Sequence, residues 1–188
     1  MRVLIRGGSI AAGKGVDRSY ADIVRDELAP AGIEVLNVSR ERDTSFQGVW
    51  GFSGEITPVR PDVLVLHFGI DDIYRPVYRS EFRENMVQIV RLARVLFNPR
   101  TFLLGSHTFE GSIEMDAAYI FYLQLREVAH DLGCVFVPVH LRWMNRLYET
   151  GRRHAALVQE DDRLPNEEGH RIYAEALMHA FREDGIGT

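Results

Sequence analysis

Five short apolar, β-branched runs punctuate the chain at residues 3–5, 33–38, 63–66, 101–104 and 135–139. Each has the length of a strand. Between them lie segments of helical period. Phe82, Met86, Ile89, Ala93 and Leu96 recur at steps of three and four, as do Ala118, Phe121, Leu125, Val128 and Leu132, which places each set on one helix face. Strands that alternate with helices predict a parallel sheet covered on both sides. Gly32 and Gly133 are placed to end helices ahead of the second and fifth strands. Asn166 is placed to cap a last helix whose first turn carries Glu167 and Glu168, and which continues through Ile172, Ala176, Leu177 and Ala180. The longest stretch without an obvious regular pattern, 39–61, carries Phe46, Trp50 and Phe52 among glycines. Irregular segments of that length in compact domains are usually functional.

With 188 residues, 46% of them hydrophobic, the chain is expected to form one domain spanning 1–188 with a core that needs no staples. Its one cysteine, Cys134, makes neither an intramolecular disulfide nor a zinc site alone. The net charge of −5 argues against generic nucleic-acid binding, which needs a clustered positive field. No apolar run is long enough to span a bilayer, and Met1 leads into the first strand without a signal-peptide pattern, so a cytoplasmic location with no membrane partner is expected. No metal-ligand spacing stands out, and neither metal nor cofactor is expected. The partner in prospect is a small molecule; the oligomeric state is not encoded legibly.

Ligands of open parallel sheets bind beyond the carboxyl ends of the strands, which directs attention to residues 7–15, 39–54, 69–74, 106–110 and the approach to the last helix. The first of these loops, Arg6-Gly7-Gly8-Ser9-Ile10-Ala11-Ala12-Gly13-Lys14-Gly15, admits two readings. Gly8, Gly13 and Lys14 have the spacing of a phosphate loop, but Gly15 stands where the magnesium-binding hydroxyl belongs. Alternatively, Ser9 sits on a sharp strand-to-helix turn that presents it as a nucleophile beside free backbone N–H groups.

Gly8-Ser9 with Gly13, then Gly48, then Gly69-Ile70-Asp71-Asp72, then Asp161 ahead of Asn166-Glu167-Glu168-Gly169-His170, occur in the order and structural setting of one family's motifs. Over essentially its whole length the chain resembles the SGNH, or GDSL, hydrolase superfamily. The resemblance implies a three-layer α/β/α flavodoxin-like fold with a five-stranded parallel sheet, and an esterase, lipase, acetylhydrolase, thioesterase or acyltransferase lineage. It gives Ser9 the nucleophile's place, with Gly8 where the usual signature has Asp, and gives Gly48 the place of a backbone oxyanion donor. Asp71 falls where the family has Asn, and Asp161 where it has the acid of the triad.

Two of these positions depart from the family's chemistry. An ionised carboxylate at Asp71 only accepts hydrogen bonds and repels the charge of a tetrahedral intermediate; it donates only if held protonated. The competing reading makes Asp71 a structural acid bonded to backbone or to Arg75, one helical turn away. At the triad, Leu164 stands where the histidine base belongs, and in a serine hydrolase loss of that base alone costs on the order of 10⁶ in turnover. His107, after the fourth strand, is the best placed substitute, with Glu110 as a lesser partner. His67, His140, His154 and His170 are further candidates, each more simply read as packing or surface. Phe46, Trp50 and Phe52 either line an apolar pocket or cap the sheet edge, and Tyr74, Arg75 and Tyr78 either hold an anionic or hydroxylated ligand or form helix surface.

The functional expectation is an SGNH-type enzyme acting on an acylated or activated small molecule with Ser9, Asp71, Asp161 and His107 as candidate catalytic residues. Gly8, Gly48, Phe46, Trp50, Gly69, Arg75 and Leu164 are candidates for the substrate's surroundings. The alternative is an inactive member that keeps the fold to bind a ligand or partner.

Overall fold

The computed structural model describes residues 1–75 and 77–187. Strands β1 (Arg2–Gly7), β2 (Glu34–Asn37), β3 (Val63–His67), β4 (Arg100–Leu104) and β5 (Val135–Val137) form one sheet in the order β2-β1-β3-β4-β5. Every pairing is parallel. The order reverses beside β1, at the topological switch point where ligands of doubly wound sheets bind.

Side-chain alternation along the strands creates the layers. Val3, Ile5, Val63, Val65, Phe102 and Leu104 enter one core, together with α1 (Tyr20–Leu28), α7 (Val139–Thr150) and α8 (Glu167–Glu183). Leu4, Leu64, Leu66 and Leu103 enter the other, with α5 (Arg79–Leu96) and most of the inner face of α6 (Ser112–Leu132). The three-layer α/β/α fold read from the sequence is the one observed. The β3 residues are buried on both faces, and each fully buried aliphatic side chain contributes about 1.5–3 kcal/mol. That burial makes β3 a rigid base for the residues that follow it.

Gly32 and Gly133 close their helical segments in the left-handed conformation, with φ of 68° and 58°, where a Cβ is disfavoured. The Asn166 side chain accepts from the N–H groups of Glu168 and Gly169 and so starts α8.

Residues 39–61 are more regular than their sequence suggests. They contain α2 (Ser45–Trp50) and α3 (Phe52–Glu55), and Phe52 is buried in the second core. These helices are too short to show a period and are fixed by tertiary bonds. Ser45 donates to Asp72 Oδ1 through N at 2.9 Å and Oγ at 2.6 Å. On the opposite side of the segment, the buried Arg6 guanidinium lies 2.6 Å from both Asp43 and Glu55. The fifth apolar run divides similarly: the strand ends at Val137, and Val139 begins α7. Among the described residues no helix is long and apolar enough to cross a membrane.

Candidate active site around Ser9

The turn after β1 is built by close backbone approach. A Cβ on Gly7 would lie 2.2 Å from the His67 carbonyl oxygen, and the Gly8 N–H donates to that carbonyl at 3.2 Å. The chain then bends, and the Lys14 N–H closes the turn on the Ser9 carbonyl at 3.1 Å. This geometry leaves the Ser9 hydroxyl facing two other strand ends. Its Oγ donates to Asp71 Oδ1 at 2.8 Å and accepts from the Arg42 N–H at 2.9 Å. The Ser9 N–H donates to Asp71 Oδ2 at 2.7 Å. Arg42 holds its position with a φ of 66°, an uncommon conformation for a residue with a Cβ that is maintained only by its surroundings.

Asp71 arrives from the short helix α4 (Ile70–Tyr74), which begins at Gly69 with φ 130°. The neighbouring Asp72 turns inward, accepts from Gly69 N at 3.1 Å and holds Ser45. Burial raises the Asp72 carboxyl to about 6. Burial also raises Asp71 above the usual carboxylate range, opposed by the two hydrogen bonds from Ser9 and by the charges of Arg75 and Lys14.

Ser9 and Asp71 open into a cavity of about 370 Å³. Lys14, Arg42 and Arg75 also line it, and its far wall is formed by Asp161, Arg163, Leu164 and Tyr74. Arg163 grips Asp161 with both arms, Nε to Oδ1 at 2.6 Å and Nη2 to Oδ2 at 2.5 Å. Its guanidinium also lies 4.7 Å from the centre of the Tyr74 ring. The bond from Arg163 holds the Asp161 carboxyl below its usual range. Leu164 is buried, at 6% exposure, and backbone bonds from its N to Asp161 O and from Gln159 N to its O fix it in place.

The histidine substitutes do not reach this cavity. His107 is fully buried. Its Nδ1 pairs with the Tyr173 hydroxyl at 2.8 Å and its Nε2 with the Asp162 carbonyl at 3.2 Å, and burial pushes it down to about 3. A base needs both reach and a basicity near the working pH, and His107 has neither. His67 and His170 pack against Tyr20, His154 accepts from the Trp143 indole, and His140 stacks on Tyr122. Among the described residues no histidine lines the Ser9 cavity.

The backbone donors differ from expectation as well. The Gly48 N–H is spent inside α2 on the Thr44 carbonyl at 3.2 Å, and the Gly8 N–H is spent on His67. Neither is free for an oxyanion. The amides nearest the serine hydroxyl are those of Ser9, which donates to Asp71 Oδ2, and of Arg42, which donates to Ser9 Oγ. Gly48 instead gives close packing, since a Cβ there would meet the Phe68 ring at 2.6 Å. Gly69 caps α4 and does not line the cavity. Phe46 and Trp50 are 58% and 81% exposed on the outer side of α2, also away from the cavity, because the helix turns them to solvent. Glu110 is exposed and outside the cavity too.

Arg42 and Arg163 carry little signal in the sequence. Positive φ is usually announced by glycine or asparagine, and an arginine disguises it. Arg163 had only its spacing of two from Asp161 to mark it. Among the described residues no group of three or more His, Cys, Asp or Glu side chains is arranged to hold a metal ion.

The same fold occurs in Axe2, an acetylxylan esterase from Geobacillus stearothermophilus, with a TM-score of 0.83, 21% identity, and coverage of 95% of this chain and 92% of that one. It occurs again in LAE5, an alpha/beta hydrolase enzyme from the metagenome of Lake Arreo, Spain, with a TM-score of 0.84, 19% identity, and coverage of 95% and 94%. Crystal structures of catalytic mutants of Axe2 alter a serine, an aspartate and a histidine, the last two three positions apart. No curated protein sequence matches the chain. The model of the GDSL-like lipase/acylhydrolase family matches residues 6–172. With the Ser9 turn after β1 and the parallel order β2-β1-β3-β4-β5 around it, this match over residues 6–172 makes the chain a member of the GDSL-like lipase/acylhydrolase family.

Proposed function

We propose that the Ser9 cavity cleaves an ester of a small acylated molecule, with Ser9 as nucleophile and Asp71 as its base in place of a triad histidine. The observation that carries this reading is the 2.8 Å bond from Ser9 Oγ to Asp71 Oδ1, beside a cavity that no histidine lines among the described residues. Asp161 and Leu164 are separated by three positions, the spacing of the aspartate and histidine altered in Axe2. Here Asp161 is occupied by Arg163, and a leucine stands in the place of the imidazole.

Proton movement resolves the electrostatic objection to an acid at position 71. As Ser9 Oγ bonds to the acyl carbon, its proton passes to Asp71 Oδ1 and the carbonyl electron pair moves onto oxygen. The negative charge thereby leaves Asp71 and appears on the oxyanion, so no two anions face one another in the intermediate. Neutral Asp71 also loosens its hold on the Ser9 N–H, which then joins the Arg42 N–H as an oxyanion donor. Collapse breaks the bond to the alcohol oxygen, which takes the proton from Asp71. Water, or another alcohol in an acyl transfer, then releases the acyl group by the same route in reverse.

The test is intact mass after incubation with a fluorophosphonate. An adduct that forms on the native protein, is absent in Ser9→Ala and slows by about 10²- to 10⁴-fold in Asp71→Asn is the expected result. A rate unchanged in Asp71→Asn overturns the assignment of the base.

One observation favours an inactive, ligand-binding member. In the resting site Asp71 Oδ2 already takes the Ser9 N–H and Ser9 Oγ takes the Arg42 N–H, so both amides beside the serine are engaged before any oxyanion forms. A native protein that gives no adduct at any pH, while Leu164→His does, supports that second reading.

A further inference from the structure

From the charges around Ser9 we infer that the ligand of this cavity carries an anionic group, a carboxylate or a phosphate monoester, held by Lys14, Arg42 and Arg75. The inference rests on the reading of the Ser9 cavity as the site where a small molecule binds.

Four cations line the cavity, Lys14, Arg42, Arg75 and Arg163, against two carboxylates, Asp71 and Asp161. Arg163 is committed to Asp161. The side chains of Lys14, Arg42 and Arg75 make no hydrogen bond or salt bridge among the described residues. Even after Asp71 is set against one of them, two positive charges remain unmatched. The whole chain carries −5, so the excess is local and opposite in sign to the molecule.

The three cations come from three separate segments, after β1, β2 and β3 respectively, and line the same cavity as Ser9 and Asp71. Arg42 and Arg75 are exposed and Lys14 is half-buried; what sets them apart from scattered surface charge is that all three line one cavity. Small-molecule sites of this size are lined mostly by apolar groups with a few polar anchors. In this cavity the apolar contribution is limited to Ile70, Leu164 and the Tyr74 ring. Lys14 also acts on both acids at once, lowering Asp71 and Asp161. An entering anion would therefore meet Lys14 between the nucleophile side and the far wall. Arginine forks suit the paired oxygens of carboxylate and phosphate alike, so two classes of anion share this chemistry.

The experiment measures binding on Ser9→Ala, which cannot turn substrate over, with succinate, glycerol phosphate and glycerol as probes. Thermal shift and calorimetric titration are expected to show binding of succinate, of glycerol phosphate or of both, and none of glycerol. Whichever anion binds identifies the group. Lys14→Gln and Arg75→Gln, added singly and checked for an unchanged far-ultraviolet spectrum, are each expected to weaken that binding by about tenfold. A parallel comparison of 4-acetoxybenzoate with its methyl ester on the native protein is expected to favour the anionic ester. Anions that do not bind, or that bind equally well to both variants, overturn the inference, even if Ser9 still reacts with a fluorophosphonate. Anion binding that depends on Lys14 and Arg75 in a protein whose serine never reacts upholds it, and removes only the ester-cleaving reading.

Discussion

A Cβ on residue 8 would lie 2.2 Å from Asp71 Oδ2, so the glycine at position 8 and the acid at position 71 occupy one space between them. The missing Cβ at residue 8 is what admits the Asp71 carboxylate, which reaches the serine from α4, the helix that follows β3. Gly8→Ala is expected to displace Asp71 or the Asp43 carbonyl, which a Cβ would meet at 2.4 Å. Overpacking of this kind destabilises by about 1–3 kcal/mol. The fluorophosphonate reaction of Ser9 should slow by at least about tenfold, because the 2.8 Å contact with Asp71 is lost. A Gly8→Ala protein that reacts at the native rate would show that the position of Asp71 is immaterial.

The pH dependence of Ser9 reactivity separates a carboxylate base from a histidine. Burial raises Asp71 above its usual range, and the base must be ionised to accept the proton. Reactivity should therefore rise with pH as Asp71 deprotonates and stay level through neutral pH. Lys14→Gln removes a charge that lowers Asp71, so in that variant the rising limb should move to higher pH. Rates of labelling measured across the acid range decide the point. A limb that ignores Lys14, or one that survives in Asp71→Asn, belongs to a different group.

The layers of this fold are legible because they depend on pattern. Apolar runs at strand length, helical steps of three and four and the Asn166 cap all act locally, and they appear where the sequence places them, except that the fifth run divides between β5 and the start of α7. The Ser9 turn is legible for the same reason, since Gly7, Gly8 and Ser9 are contiguous. The surroundings of the serine are assembled from afar. Arg42 reaches Ser9 by a backbone N–H, which any residue type supplies, and it does so from a segment held by Arg6 and Asp72 across many residues of sequence. His107 illustrates the converse. It follows the correct strand on the correct edge, yet the Tyr173 hydroxyl and the Asp162 carbonyl draw it into the core, and nothing in the order of residues announces those partners.

Three buried histidines should make the fold sensitive to acid. Burial holds His67 and His107 at about 3 and His170 at about 4, against about 6.5 in an unfolded chain. The native state keeps them neutral, so their contribution is complete above about pH 6.5 and is lost as pH falls towards their folded values. Asp72 acts in the opposite sense, since its value of about 6 lets the native state hold a proton that the unfolded chain lacks. It offsets one histidine over part of the range. Protons that the rings take up only on unfolding make stability fall as pH drops, so the domain should unfold in mildly acid solution. Circular dichroism during acid titration tests this, and His67→Gln should flatten the slope by about one proton. Stability that stays constant from neutral pH down to about 4.5 would contradict neutral burial of these rings.

Arg6 is expected to control the serine without touching it. Its side chain is 1% exposed and is held 2.6 Å from Asp43 on one side and from Glu55 on the other, with its Nη1 on the Gly7 carbonyl at 2.8 Å. Asp43 follows directly on Arg42, whose amide donates to Ser9 Oγ. The ion pair therefore anchors the segment after β2 to the carboxyl end of β1, where the Ser9 turn begins. Removing one partner of a buried pair leaves the other charge uncompensated and costs about 3–5 kcal/mol, so Arg6→Ala should lower the melting temperature sharply. Asp43→Asn is the milder change, because the amide keeps an oxygen that can accept from Arg6. In Asp43→Asn the fold should persist while the Arg42 amide loses its fixed position. Hydrogen exchange at the Arg42 amide should accelerate, and labelling of Ser9 should slow. Acceleration of exchange without any change in labelling would confine Asp43 to a structural role and release the Arg42 amide from any part in the reaction.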